Sequence, residues 1–158
     1  MNYPSRHGVL LLGILVLGLA ALPAMADSCS SRNQAGNWAY TYSGTIFTTS
    51  GALPLASVGH FRQDAAGHLH GTQTRSVAGS SGLEDISGTI AVSRDCSATG
   101  TINVLVGGQL QRTAVLAVVY DQDGNHVREI FESLTLPDGT NLPVVITIDG
   151  NRVTTQQQ

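Results

Sequence analysis

Beyond residue 36 the chain is punctuated every ten to fifteen residues by Gly, Asp, Asn or Pro, and the stretches between are rich in Val, Ile, Thr and Tyr without helical periodicity. That spacing admits short strands and leaves no room for long helices. Strands are expected near 37–48, 55–64, 68–77, 83–93, 98–106, 110–120, 125–135 and 141–149. Eight strands joined in order by short connections are most economically a meander, and a meander of eight can close on itself and remove its edges. The expected fold is all-β, an eight-stranded antiparallel up-and-down barrel. A two-sheet sandwich is the alternative and would leave edges exposed. A barrel of eight strands is near the size at which its interior is filled by side chains or holds one small ligand.

The turns carry their own chemistry. Asp64-Ala65-Ala66-Gly67 and Asp121-Gln122-Asp123-Gly124 fit type I turns whose fourth residue is a glycine in the left-handed region, so both predict tight hairpins. Pro137-Asp138-Gly139 is a third turn, with proline presetting the backbone and glycine relieving it. Gly79-Ser80-Ser81-Gly82 and Gly107-Gly108 read as looser connections.

The N-terminus is organised differently. A polar start with Arg6 precedes an apolar run from Val9 to Leu22, then Pro23 and the small-residue sequence Ala24-Met25-Ala26, which is the order of a secretory signal with its cleavage site. The apolar run is shorter than the roughly 20 residues that span a bilayer. Cys29 follows Ala26-Asp27-Ser28, which lacks the aliphatic residue that opens a lipoprotein box. The expected division is residues 1–26 as signal peptide, 27–36 as N-terminal segment, 37–150 as barrel and 151–158 as a polar disordered tail. The chain is therefore expected to be exported, to periplasm or medium, without stable membrane insertion after cleavage. Two cysteines, Cys29 and Cys96, form an isolated even pair, which in an oxidising compartment is most simply one disulfide tying the N-terminal segment to a turn between strands.

Charge narrows the partners. After residue 26 there are seven arginines, no lysine and eleven acidic residues, a net charge of −4, and the arginines are scattered. No basic stripe for nucleic acid exists.

Gly36-Asn37-Trp38 resembles the Gly-x-Trp with which lipocalin-like and streptavidin-like barrels begin, and the resemblance implies a tryptophan that plugs one barrel end. More of the chain, about residues 29–135, resembles a group of small exported bacterial calycin-like barrel domains, through Val58-Gly59-His60-Phe61, Asp64-Ala65-Ala66-Gly67, Gly88-Thr89-Ile90-Ala91-Val92 and Asp95-Cys96-Ser97-Ala98-Thr99. In that group the cysteine after the aspartate pairs with one near the mature N-terminus, which implies Cys96 with Cys29. In strand count alone the chain is similar to the allene oxide cyclase barrel, an analogy of fold that does not fix function.

Candidate chemistry is sparse. His68 and His70 lie two apart on one strand and share a face with His60 if the Asp64 turn pairs Asp64 with His68, but Phe61 and Leu69 claim the opposite face for the interior. The histidines are thus expected on the solvated side, with no metal bound. Trp38, Tyr40 and Tyr42 alternate along the first strand and, with Phe61, are the candidate ligand-binding wall. Glu84, Arg128, Glu129 and Glu132 are charges within strands. One parity buries Arg128, Ile130 and Glu132, the other Val127, Glu129 and Phe131, and the pattern does not choose, so these charges are expected in solvent. No nucleophile elbow, phosphate loop or cofactor motif is present, and Asp121-Gln122-Asp123-Gly124-Asn125 lacks the distal glutamate of a calcium loop.

Three functional classes follow. The first is a binding module holding a small apolar ligand near Trp38, Tyr40, Tyr42 and Phe61. The second is a structural or inhibitory protein with a filled barrel that engages another exported protein. The third is a cyclase or isomerase with Glu84 or Glu132 as interior acid or base. A membrane barrel is disfavoured by the interrupted apolar faces and the polar C-terminus Thr154-Thr155-Gln156-Gln157-Gln158.

Overall fold

The computed structural model describes residues 29–154, so the expected signal segment and the last four residues lie outside the described residues. Eight strands follow one another: β1 (Gly36–Thr48), β2 (Gly51–Gln63), β3 (His68–Val77), β4 (Ser80–Val92), β5 (Ser97–Val106), β6 (Gln109–Tyr120), β7 (His126–Thr135) and β8 (Val144–Val153). Each pairs antiparallel with the next, and β8 pairs with β1, so the sheet closes into an up-and-down barrel. From Tyr42 the pairing leads one way through Ser57 and Arg75 to Gly82, and the other way through Ile148, Glu129, Val118 and Ala98 to Val92. The ten-residue offset between Gly82 and Val92 on β4 is the stagger that tilts the strands around the axis.

Alternation decides what the barrel encloses. Along β6, Arg112, Ala114, Leu116, Val118 and Tyr120 are all buried, and along β4 the inward set includes Glu84, Ile86 and Ile90. Each large apolar side chain fully removed from water contributes about 1.5–3 kcal/mol, which makes this lining the main source of stability. A one-residue slip would exchange lining for surface.

The turns at Asp64–Gly67 and Asp121–Gly124 close as expected, with the Gly67 and Gly124 amides donating to the Asp64 and Asp121 carbonyls at 3.1 and 2.9 Å. Gly139 donates likewise to Leu136, closing the Pro137-Asp138 turn. The connections expected to be loose are tight. Ala78 and Gly79 (φ 47° and 89°), and Gly107 and Gly108 (φ 59° and 80°), are two-residue turns with both residues in the left-handed region, which matches the twist of the flanking strands. Ser80, Ser81 and Gly82 accordingly belong to β4, and β2 begins at Gly51, because backbone pairing at the barrel rim needs no apolar side chain. At the other end of the chain, β8 begins later than expected and runs to Val153.

Two bulges break the alternation. Gln111 is the extra residue where β6 leaves Val104 and Leu105, and Glu132 is the extra residue where β7 crosses Val115 and Leu116. Before Glu132 the buried positions are Val127 and Glu129; after it, Leu134. A bulge shifts the parity of a strand, so no single alternation describes β7.

Candidate functional site

One barrel end is sealed by the N-terminal segment. The Trp38 side chain is fully buried there, stacked on Phe61 (6.3 Å between centroids) and edge-on to Tyr120 (5.6 Å), and its indole N–H donates to the Gln34 carbonyl at 3.1 Å. The Arg152 guanidinium lies 4.9 Å over the indole and donates to the carbonyls of Asn33, Ala35 and Gly124 at 2.7–3.1 Å. Arg152 therefore holds together the segment, the β6–β7 turn and β8, which is why β8 continues past residue 149. The Cys29–Cys96 disulfide fastens the same segment to the β4–β5 turn. Cys96 has φ 68° and occupies the turn position that Gly67 and Gly124 occupy in the sister hairpins.

Above this plug the barrel contains a cavity of about 50 Å³. Its aromatic side is Tyr40, Tyr42, Phe61 and Phe131, and its aliphatic side includes Leu69, Ile86, Ile90, Leu116 and Ile148. Three of the four expected ligand-binding residues thus line the cavity, whereas Trp38 belongs to the plug beneath it. Tyr40, Gly59, Gln73 and Glu84 form one row across β1 to β4. A Cβ at Gly59 would lie 2.7 Å from the Tyr40 ring and hydroxyl, so the missing side chain is what lets Tyr40 reach over β2 to Gln73.

Four strands contribute to a buried polar network on this row. The Tyr40 hydroxyl donates to Gln73 Oε1 at 2.7 Å, and Gln73 Nε2 donates to Glu84 Oε2 at 2.7 Å and to the Tyr42 hydroxyl at 3.2 Å. Glu84 also accepts both arms of the Arg112 guanidinium, with Nη1 at 2.9 Å from Oε1, and Nε of Arg75 at 3.0 Å. Burial alone would raise the Glu84 carboxyl, but the Arg112 and Gln73 hydrogen bonds and the two guanidinium charges outweigh it and hold it below the ordinary range. Burial drives the Tyr40 hydroxyl far above its ordinary value and, with lesser help from Glu129, raises Tyr120.

Glu129 is the exception. It projects from β7 between Val118 on β6 and Ile148 on β8, is buried, and has no hydrogen-bond or ion-pair partner among the described residues. Desolvation raises its carboxyl from 4.5 to about 7. A buried carboxyl left without donors is costly, and such groups concentrate where a ligand or a reaction supplies the missing partner. The side-chain amide nitrogen of Gln63, near the plug, is the one completely buried side-chain polar atom without a hydrogen-bond partner among the described residues.

The expectation that the strand charges stand in solvent fails for Glu84 and Glu129. Arg128 and Glu132 do face outward, Arg128 pairing with Asp121 at 3.2 Å, so of the two carboxylates named for acid–base work only Glu84 is interior, and it is neutralised. Sequence reasoning missed Gln73 and Arg112. Gln73 shares its parity with Leu69 and Val77, a usable signal; Arg112 sits in a strand apolar on both faces, where alternation is silent. His60, His68 and His70 lie on the outer face, with Arg62 opposite His70 and His60 opposite Thr72, and His68 meets Asp64 at 3.0 Å.

No protein family matches the chain, and no curated protein does. Among solved structures it is similar to the S-type phycobiliprotein lyase CPES from Guillardia theta, at 8% identity and TM-score 0.47 over 83% of this chain and 97% of that one. It is also similar to a candidate AttH protein from Nitrosomonas europaea, at 9% identity and TM-score 0.40 over 93% of this chain and 60% of that one.

Proposed function

We propose that this protein is an exported binding module that holds one small, largely apolar ligand inside its barrel, against Tyr40, Tyr42 and Phe61. The observation that carries the reading is the cavity of about 50 Å³ with Glu129 buried in its wall and unpartnered among the described residues. A purely structural core gains nothing from such a group, since an apolar residue of similar size would pack there without the desolvation cost. Export is supported by the signal-like N-terminus, and the Cys29–Cys96 bond is compatible with an oxidising compartment. No helix among the described residues is long and apolar enough to cross a membrane.

Native mass spectrometry of the oxidised protein purified from its own host, followed by denaturing extraction, tests the reading. A small molecule retained at unit stoichiometry is the expected result. An empty barrel that stays empty after incubation with a metabolite pool overturns it and turns attention to protein partners on the outer face. A second reading, proton-transfer chemistry on the bound molecule, is favoured by the elevated Glu129 carboxyl, which is suited to act as acid or base near neutrality. Chemical change of the retained molecule on incubation separates a catalyst from a carrier.

A further inference from the structure

The cavity holds one carboxyl group to which no side chain among the described residues donates. Glu84 accepts from both arms of Arg112, from Arg75 and from Gln73, so both guanidinium groups of this network direct their hydrogen bonds at Glu84. Glu129, on the far strand, receives none of these donors. It shares the cavity wall with the rings of Tyr40, Tyr42 and Phe131 and the aliphatic side chains of Leu116 and Ile148, while the polar lining residues Arg112 and Gln73 direct their donors to Glu84. Aromatic faces attract cations and aliphatic walls do not solvate anions.

We infer that the ligand is a small organic amine, bound as its ammonium, with Glu129 as its counter-ion inside the barrel. This rests on the binding-module reading and names the chemical class it takes. An ammonium group carries up to three N–H donors and the positive charge that the buried carboxylate lacks. An alcohol supplies a donor but no charge. A carboxylate ligand adds a second negative charge to a wall that has one unpaired. Size sets the other bound: an apolar cavity of roughly 150 Å³ holds benzene, so one of about 50 Å³ takes an ammonium with only a few carbons.

The burial that raises the Glu129 carboxyl to about 7 makes amine binding pH-dependent. Glu129 is coupled electrostatically to Tyr40 of β1 and Tyr120 of β6, and it shares the linings of the spaces beside it with the titratable or charged side chains of Tyr42, Arg112, Arg128 and Asp149. The tyrosines are raised and Glu84 is lowered, so none of these four changes charge between pH 6 and 8. The carboxylate fraction rises about tenfold across that interval if the midpoint is near 7.

The test uses the oxidised protein with isopropylamine, isopropanol and isobutyrate as probes, read by calorimetry and by shifts of the Tyr42 and Phe131 ring resonances. Isopropylamine is expected to bind at pH 8, about tenfold more weakly at pH 6, and not measurably in Glu129→Gln, whose near-ultraviolet circular dichroism reports that the fold is kept. Isopropanol binding as tightly as isopropylamine, or amine binding unchanged in Glu129→Gln, overturns the amine class while leaving the cavity as a binding site. Failure of all three probes to move the cavity resonances overturns both the class and the binding-module reading. Should the variant misfold, the pH arm on the unaltered protein decides alone.

Discussion

Replacing Glu129 with Gln should stabilise the protein at pH 8 and do almost nothing at pH 4.5. The carboxyl has a midpoint of about 7 when folded against an ordinary value of 4.5, so the folded state binds its proton more tightly than the unfolded state does. For an acid shifted in this direction, stability is fully present below the unfolded value and is lost as pH rises towards the folded one. The loss accumulates between pH 4.5 and 7 and is constant above. At about 1.4 kcal/mol per pH unit, the interval is worth about 3 kcal/mol, and the glutamine escapes it. Urea denaturation of the oxidised parent and variant at pH 4.5, 6, 7 and 8 measures the difference directly. With a slope of roughly 2 kcal/mol per molar urea, the midpoints should separate by roughly 1.5 M at pH 8 and nearly coincide at pH 4.5. His126, held above its ordinary value of 6.5 chiefly by Asp149, titrates in the same range, whereas Asp64, Asp95 and Asp138 are lowered from 3.8 and lie below it; all four are present in both chains and cancel in the comparison. A variant that is less stable than the parent at pH 8, or a gap that does not change with pH, would refute the reasoning that Glu129 is desolvated and unpaired.

The other interior features have their own expected outcomes. Glu84→Ala, which leaves Arg112 buried without its partner, should cost about 3–5 kcal/mol in the same denaturation assay, and changing both residues to leucine should recover most of it. Gly59→Ala should destabilise by about 2 kcal/mol and shift the Tyr40 ring resonances, because the added methyl collides with that ring. Loss of the disulfide, which closes a separation of 67 residues, should cost about 4 kcal/mol in the chain-entropy account. On a Cys29→Ala background, Cys96→Gly should be about 1 kcal/mol more stable than Cys96→Ala, since only glycine adopts the left-handed turn position freely.

The barrel itself was legible because its strands are separated by turns that announce themselves: Asp64–Gly67 and Asp121–Gly124 close where glycine and aspartate place them. Boundaries failed where pairing needs no apolar side chain, at Gly51–Pro54 and Ser80–Gly82. Tyr40, Tyr42 and Phe61 reached the cavity because they follow strict alternation from a firm register. Glu129 was not resolved because both parities of β7 contain apolar residues, and the bulge at Glu132 shifts that strand's parity partway along. Glu84 shares its parity with Ile86, Ile90 and Val92 and so was readable as interior; its pairing with Arg112 was not, since the two lie 28 residues apart on β4 and β6, on either side of β5.

The central claim is that the barrel interior, at Glu129, is where a ligand sits. A crystal structure of the oxidised protein soaked with isopropylamine at pH 8 tests it most directly. The account predicts amine density within hydrogen-bond distance of the Glu129 carboxylate, ringed by Tyr40, Tyr42 and Phe131. An interior without density, with amine found only on the outer face of the barrel, would contradict it.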